Sequence, residues 1–309
     1  MSTINKPKIN PLPFYAEWAG HPLPDLTIVH SVFRANRHDK PIIWLAGDSS
    51  LDNKAWIPSS GPGGEPLPAA VPDIYSTFLD PVKPKPDVSF WLNDYLRDAA
   101  TCLNAAVEAT TLRERDWRLL AHDEFVRNHI QPQDIVIVSV GANDIALSPT
   151  ATTMRHMAQL AWLTPRRSIE GGSASSLTHF KHMFGPQTQD YVSRLVEKRK
   201  PRAVIVCTIY YPLEASAGAQ PGWAETQLKM LGYNSNPGQL QAAIKKMYEQ
   251  ATSTIRIEGT TVIPCALFEA MDGKMKEDYT ARVEPSVQGG KKMAGLLHGH
   301  LSDILSSPK

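Results

Sequence analysis

The chain has 309 residues, 42% apolar and 20% charged, which is enough for a substantial core and rules out wholesale disorder. Its 32 basic and 31 acidic residues leave a net charge of +1, and no basic stripe interleaved with aromatics occurs, which excludes a dedicated nucleic-acid binder. No stretch approaches the ~18–20 continuous apolar residues of a membrane span, and Met1–Pro13 is polar with no apolar leader-like run, so the chain reads as soluble, intracellular and cytoplasmic.

Residues 1–40 read as an N-terminal extension of a single domain spanning 1–309. The first strand pattern, Pro41–Ala46, ends in Gly47-Asp48-Ser49. Residues 57–87 are rich in proline and glycine and read as a long loop insertion, ordered or mobile, rather than a domain. The cluster Gly61-Pro62-Gly63-Gly64 lacks a following Lys-Ser/Thr, so it is not a phosphate-binding loop. A weaker strand, Thr101–Val107, precedes a helical pattern over Leu112–His129. Strand Ile135–Val140 follows, ending in Gly141-Ala142-Asn143-Asp144.

Residues 164–176, with Arg166, Arg167 and a Gly-Gly-Ser-Ala-Ser-Ser run, read as a second, flexible insertion. Helix Gln189–Lys200, strand Ala203–Ile209, helix Gly238–Arg256, strand Thr260–Pro264 and helix Gly289–Leu305 complete the chain. The helical apolar stripes are core faces rather than cofactor boxes. Short continuous apolar strands alternating with helices point to an α/β domain with a buried parallel sheet. Cys102, Cys207 and Cys265 are far apart, odd in number and set in apolar runs, which suits buried free thiols.

Two motifs end buried strands. Asp48 and Ser49 are favoured helix caps, and that is the plainer reading. The other reading makes Ser49 a nucleophile at the carboxyl end of a strand, where doubly wound sheets bind ligands. Asn143 and Asp144 equally cap a turn, or Asn143 supplies a neutral donor to a developing oxyanion. The two motifs together favour the chemical reading.

Gly47-Asp48-Ser49, Asn104-Ala105-Ala106-Val107-Glu108-Ala109-Thr110-Thr111 and Gly141-Ala142-Asn143-Asp144 resemble the first three sequence blocks of the SGNH (GDSL-type) hydrolase superfamily. The likeness runs from about Pro41 to Leu297. It implies a flavodoxin-like, three-layer α/β/α sandwich with a parallel five-stranded sheet. It also implies an esterase, lipase, thioesterase or carbohydrate deacetylase acting on a small-molecule acyl ester or acylated substrate, with no metal or organic cofactor. By the same resemblance Ser49 is the nucleophile and Asn143 an oxyanion donor. The backbone N–H of Ala109, where the family has glycine, is a second donor, and the Ser49 N–H completes the hole.

The fourth block departs from the family. Where the family has Asp-x-x-His-Pro-x-x-x-Gly, this chain has Ala281-Arg282-Val283-Glu284-Pro285, with glycines at 289 and 290. Glu284 therefore occupies the position of the general base, and an unperturbed glutamate at ~4.3 is about two units less basic than histidine at ~6.5. Burial would raise it. His298 and His300 lie roughly 20 Å further along a continuous helix and read as surface or helix-end residues. His30, His122, His156, His179 and His182 carry no individual signal, and Asp278 is an off-pattern second carboxylate. Leu51–Trp56 and the following loop are expected to wall the acyl or leaving-group pocket. Two functions remain: hydrolysis through a Ser49 acyl-enzyme, or an inactive protein that binds a ligand or partner in the same crevice.

Overall fold

The computed structural model describes residues 8–58 and 66–307. The Gly61–Gly64 cluster lies outside the described residues. Five strands, β1 (Ile42–Gly47), β2 (Thr101–Asn104), β3 (Ile135–Ser139), β4 (Ala203–Thr208) and β5 (Thr261–Ala266), form a parallel sheet in the order β2-β1-β3-β4-β5. All five expected strands are present, shifted by only a few residues. Every residue of β1 to β4 is buried, so helices cover both faces of the sheet and the fold is a three-layer α/β/α sandwich. A two-stranded antiparallel hairpin, β6 (Tyr279–Ala281) and β7 (Glu284–Pro285), stands apart from it.

This order sends the chain from β1 outward to β2 and then back across to β3. The switch point therefore falls between β1 and β3, where such sheets open a crevice at their carboxyl ends. Buried Asp134, just before β3, fixes the opposite end. Its carboxylate accepts from the Ile42 N–H (2.9 Å) and Trp44 Nε1 (3.0 Å) and pairs with Arg34.

Some sequence expectations are refined and others corrected. The N-terminal extension carries helix Leu23–Asn36, which puts Leu26, Val29, Val32 and Phe33 into the main core. The described part of residues 57–87 buries Ile74, Tyr75, Phe78 and Leu79, and Ile9 N–H donates to Phe78 O at 2.7 Å. Residues 164–176 are likewise ordered around helix Arg166–Glu170, with Ile169, Ala174 and Leu177 buried. Helix Val88–Leu96, which packs on Val287–Ser306, has no counterpart among the expected elements.

The pattern over Leu112–His129 breaks into a short turn at Arg113–Arg115 and a helix at Ala121–His129. Asp123 causes the break. Its Oδ2 accepts both Leu120 N–H (3.0 Å), capping the helix there, and Arg115 Nε (2.9 Å), which pulls Arg115 inward. Helix Gln189–Lys200 is Thr188–Leu195, Gly238–Arg256 is Pro237–Gln250, and Gly289–Leu305 is Val287–Ser306. All three cysteines are buried and free. Among the described residues no helix is long and apolar enough to cross a membrane.

Candidate active site

The turn after β1 begins at Gly47, whose φ of +128° lies in the region that favours glycine. A Cβ there would sit 1.9 Å from Ser139 O, so the approach of β1 to β3 excludes any side chain. Asp48 N–H donates to Ser139 O (3.0 Å), and the Asp48 carboxylate accepts from Ser50 N–H (3.1 Å). The capping reading thus holds for Asp48 alone. No α-helix follows for Ser49 to cap, only a single turn at Asn53–Trp56. Neither the Ser49 hydroxyl nor its N–H forms a hydrogen bond among the described residues.

The loop after β2 is locked to this turn. Asn104 Nδ2 donates to Leu51 O (3.1 Å), Val107 N–H to Gly47 O (2.9 Å) and Thr110 Oγ1 to Gly47 O (3.3 Å). Ala109 has φ +61°, left-handed, which costs a residue with a Cβ about 1–2 kcal/mol. Its N–H is likewise unengaged among the described residues. The loop after β3 closes on the same segment: Asn143 Nδ2 donates to Thr110 O (2.9 Å), leaving its second N–H available. Asp144 accepts from Leu112 N–H (2.6 Å) and Arg113 N–H (3.1 Å). Ser49, Ala109 and Asn143 are therefore carried by three interlocked loops at the switch point.

Glu284 comes from the hairpin. Asn53 Nδ2, four residues beyond Ser49, donates to Pro285 O (3.4 Å) and ties β7 to the serine turn. Ala281 is the register partner of Glu284 across the hairpin, so the family's aspartate and histidine positions face each other here as alanine and glutamate. Glu284 is 1% exposed. Its Oε1 accepts from Trp223 Nε1 (3.2 Å) and its Oε2 is buried without a partner. Burial, and then the nearby Glu108 carboxyl, push Glu284 up to about 9, so it is protonated at neutral pH.

Pattern reasoning missed Glu108, although it directly precedes Ala109. Its Oε1 accepts from Trp56 Nε1 (3.0 Å) and its Oε2 is also buried and unpartnered. Burial raises Glu108 to about 7. Its backbone is held by buried Asp52, which accepts from Glu108 N–H (3.0 Å) and is neutralised by Lys54 at 2.8 Å. Asp48, raised by burial to about 6, has one unpartnered oxygen as well. Carboxyl groups thus converge on the serine turn, each anchored by one oxygen with the other unused.

No imidazole among the described residues is hydrogen-bonded to Ser49. His21 and His129 bond the carbonyls of Phe14 and Phe125 (2.8 Å each), and His122 bonds His21 O (2.7 Å). His30 packs among Trp44, Phe125 and His129. His179 meets Thr153 Oγ1 (3.1 Å) and stacks on His156. His298 packs on Tyr95, whereas His300 is half-buried and hydrogen-bonded to the Cys265 thiol, so it is no surface residue. Asp278 is engaged elsewhere, by Lys292 (2.7 Å) and Gln288 (2.9 Å).

The sheet order makes this a doubly wound, flavodoxin-like α/β/α fold, the architecture that the sequence resemblance implied. No family model and no curated protein sequence matches the chain. Among solved structures it is similar to a family 3 carbohydrate esterase from Clostridium thermocellum, with 13% identity, a TM-score of 0.43, and 86% of this chain and 98% of that one covered. A lipase/acylhydrolase from Enterococcus faecalis aligns at 12% identity and TM-score 0.39 over 87% of this chain and 99% of that one. A carbohydrate esterase of family 3 from Talaromyces cellulolyticus aligns at 14% identity and TM-score 0.38 over 87% and 100%.

Proposed function

We propose that the protein hydrolyses a small-molecule ester or related acyl bond through an acyl-enzyme on Ser49. The observation that carries this reading is the unengaged Ser49 hydroxyl on a turn hydrogen-bonded into the loops that carry three uncommitted donors: the Ser49 and Ala109 N–H groups and the second N–H of Asn143 Nδ2. Such preset donors stabilise the oxyanion that forms when a serine oxygen adds to an acyl carbon. The serine proton passes to the Glu284 side of the crevice, where Glu284 and Glu108 interact as a carboxyl pair. With the groups raised to about 9 and about 7, the pair holds one proton between those values and offers one carboxylate to the serine. The proton then leaves with the alcohol, and water attacks the acyl-enzyme by the same route. Turnover therefore rises with pH through about 7, and Glu108→Gln moves that limb toward 9.

A second reading, a binding protein without turnover, is favoured by one observation: a mostly neutral Glu284 stands where the family has its histidine. Labelling with a fluorophosphonate, together with p-nitrophenyl acetate turnover, decides between the two. The hydrolase reading expects an adduct and turnover that Ser49→Ala abolishes. Wild-type rates no higher than Ser49→Ala, with no adduct, would establish the binding protein.

A further inference from the structure

An apolar cavity of about 80 Å³ opens at the carboxyl end of the sheet. Its rim carries the chain neighbour of three candidate catalytic residues: Ser50 beside Ser49, Ala142 beside Asn143, and Val283 beside Glu284. Tyr210 frames the same rim, its hydroxyl donating to Val283 O at 2.6 Å. Behind the rim the wall is mainly apolar, with Phe180, Leu228, Ile244 and Met247 lining it, and holds one polar side chain, Gln227, whose buried Oε1 has no partner among the described residues. None of the described residues between Leu51 and Asp87 lines it, so the pocket is not the one expected from that segment. The helices Ala142–Ala146, Thr178–His182, Glu225–Met230 and Pro237–Gln250, with Leu160 and other flanking residues, enclose it instead.

We propose that this cavity holds the acyl chain of the substrate, and that the substrate is an ester of a linear fatty acid of about four to eight carbons. The proposal rests on the Ser49 hydrolase reading, which it deepens. Three arguments carry it. The rim touches both the serine turn and the Glu284 hairpin, so a carbonyl carbon at Ser49 would point its chain inward. The wall offers a chain almost nothing to hydrogen-bond, and an apolar lining favours hydrocarbon over water. The size bounds the length: a site for one water needs about 10–15 Å³, so this one takes at most roughly five to eight such groups in a row beyond the carbonyl carbon.

Two measurements test it, one independent of catalysis. Titration calorimetry on Ser49→Ala should show octanoate binding at least tenfold more tightly than acetate. Ile244→Trp, which fills the cavity, should erase that difference. In the active protein a p-nitrophenyl ester series should peak between butyrate and octanoate. Ile244→Trp should move the peak to acetate. Leu228→Ala should move the peak about two carbons longer. The opposite shifts separate occupancy of the cavity from misfolding.

Acetate esters hydrolysed as well as octanoate, with no octanoate binding to Ser49→Ala, would overturn the chain-binding proposal and leave the hydrolase reading standing. Octanoate binding that Ile244→Trp abolishes, in a protein that turns over no ester, supports the cavity assignment and overturns the hydrolase reading.

Discussion

On the proposed hydrolase reading, the wall of the crevice made by the loops after β1, β2 and β3 and the wall made by the β6–β7 hairpin would serve opposite halves of one reaction. The first supplies donors for negative charge. Its residues clamp one another through Asn104 to Leu51, Asn143 to Thr110 and Asp144 to Leu112. The second carries Glu284, a buried carboxyl raised to about 9, where the family that the sequence resembles has an imidazole. Charge stabilisation depends on backbone geometry, which tolerates changes of side chain. Proton transfer depends on a single side chain of matched pKa, and one substitution alters it.

The largest effect should come from rebuilding the second wall to match the first. Because residues 281 and 284 are register partners, Ala281→Asp with Glu284→His places a carboxylate beside an imidazole. General base catalysis is worth roughly 10²–10⁴-fold, so turnover of p-nitrophenyl acetate at pH 7 should rise by about that factor over wild type, and Ser49→Ala in the same background should remove the gain. An unchanged rate from a folded double variant would place the defect in the first wall.

The converse experiment weakens that first wall. Asn143→Ala should lower kcat by roughly 10²–10³ with little change in KM, the signature of a donor used mainly in the transition state. Lost stability with unaltered kcat would instead reduce Asn143 to a brace for the Thr110 carbonyl.

A third prediction concerns the hairpin without catalysis. Glu284 is raised from 4.5 to about 9, so the folded protein holds a proton that the unfolded chain releases. Stability owed to this group is full below the unfolded value and falls as pH rises toward 9. The slope is about 1.4 kcal/mol per pH unit between roughly pH 5.5 and 8. Glu284→Gln removes the linkage, so its stability relative to wild type should climb by about that slope in denaturant titrations at pH 6, 7 and 8. Parallel curves for the two proteins would mean that Glu284 is ionised in the folded state.

Much of this contrast was legible in the sequence. Ile42–Gly47 and Ile135–Ser139 were readable because strands buried on both faces leave uninterrupted apolar runs. The three loops were readable because close approaches demand particular residues, as Gly47 does against Ser139. The break at Arg115 was not, because it depends on Asp123 and on buried partners that periodicity does not encode. Nor was Glu108 legible, since its raised pKa arises from burial and from carboxyls contributed by distant parts of the chain. The segment around helix Arg166–Glu170 looked flexible because of its Gly-Gly-Ser-Ala-Ser-Ser run, yet Ile169, Ala174 and Leu177 anchor it in the core.

The smallest effect tests whether the first wall is as undamaged as its hydrogen bonds suggest, and it lies at Ala109. The methyl group in a left-handed conformation costs about 1–2 kcal/mol, while alanine recovers roughly 0.4–1 kcal/mol over glycine by restricting the unfolded chain. The strain outweighs that gain, so Ala109→Gly should stabilise the protein by about 0.5–1 kcal/mol, a rise in Tm of roughly 1–4 °C by calorimetry for a chain of this size. The N–H donor survives the substitution, so acetate turnover should hold or rise as the methyl leaves the crevice. A drop in Tm would show that the Ala109 methyl packs well enough to outweigh its own strain. Alanine rather than glycine at this position would then be a fitted part of this wall.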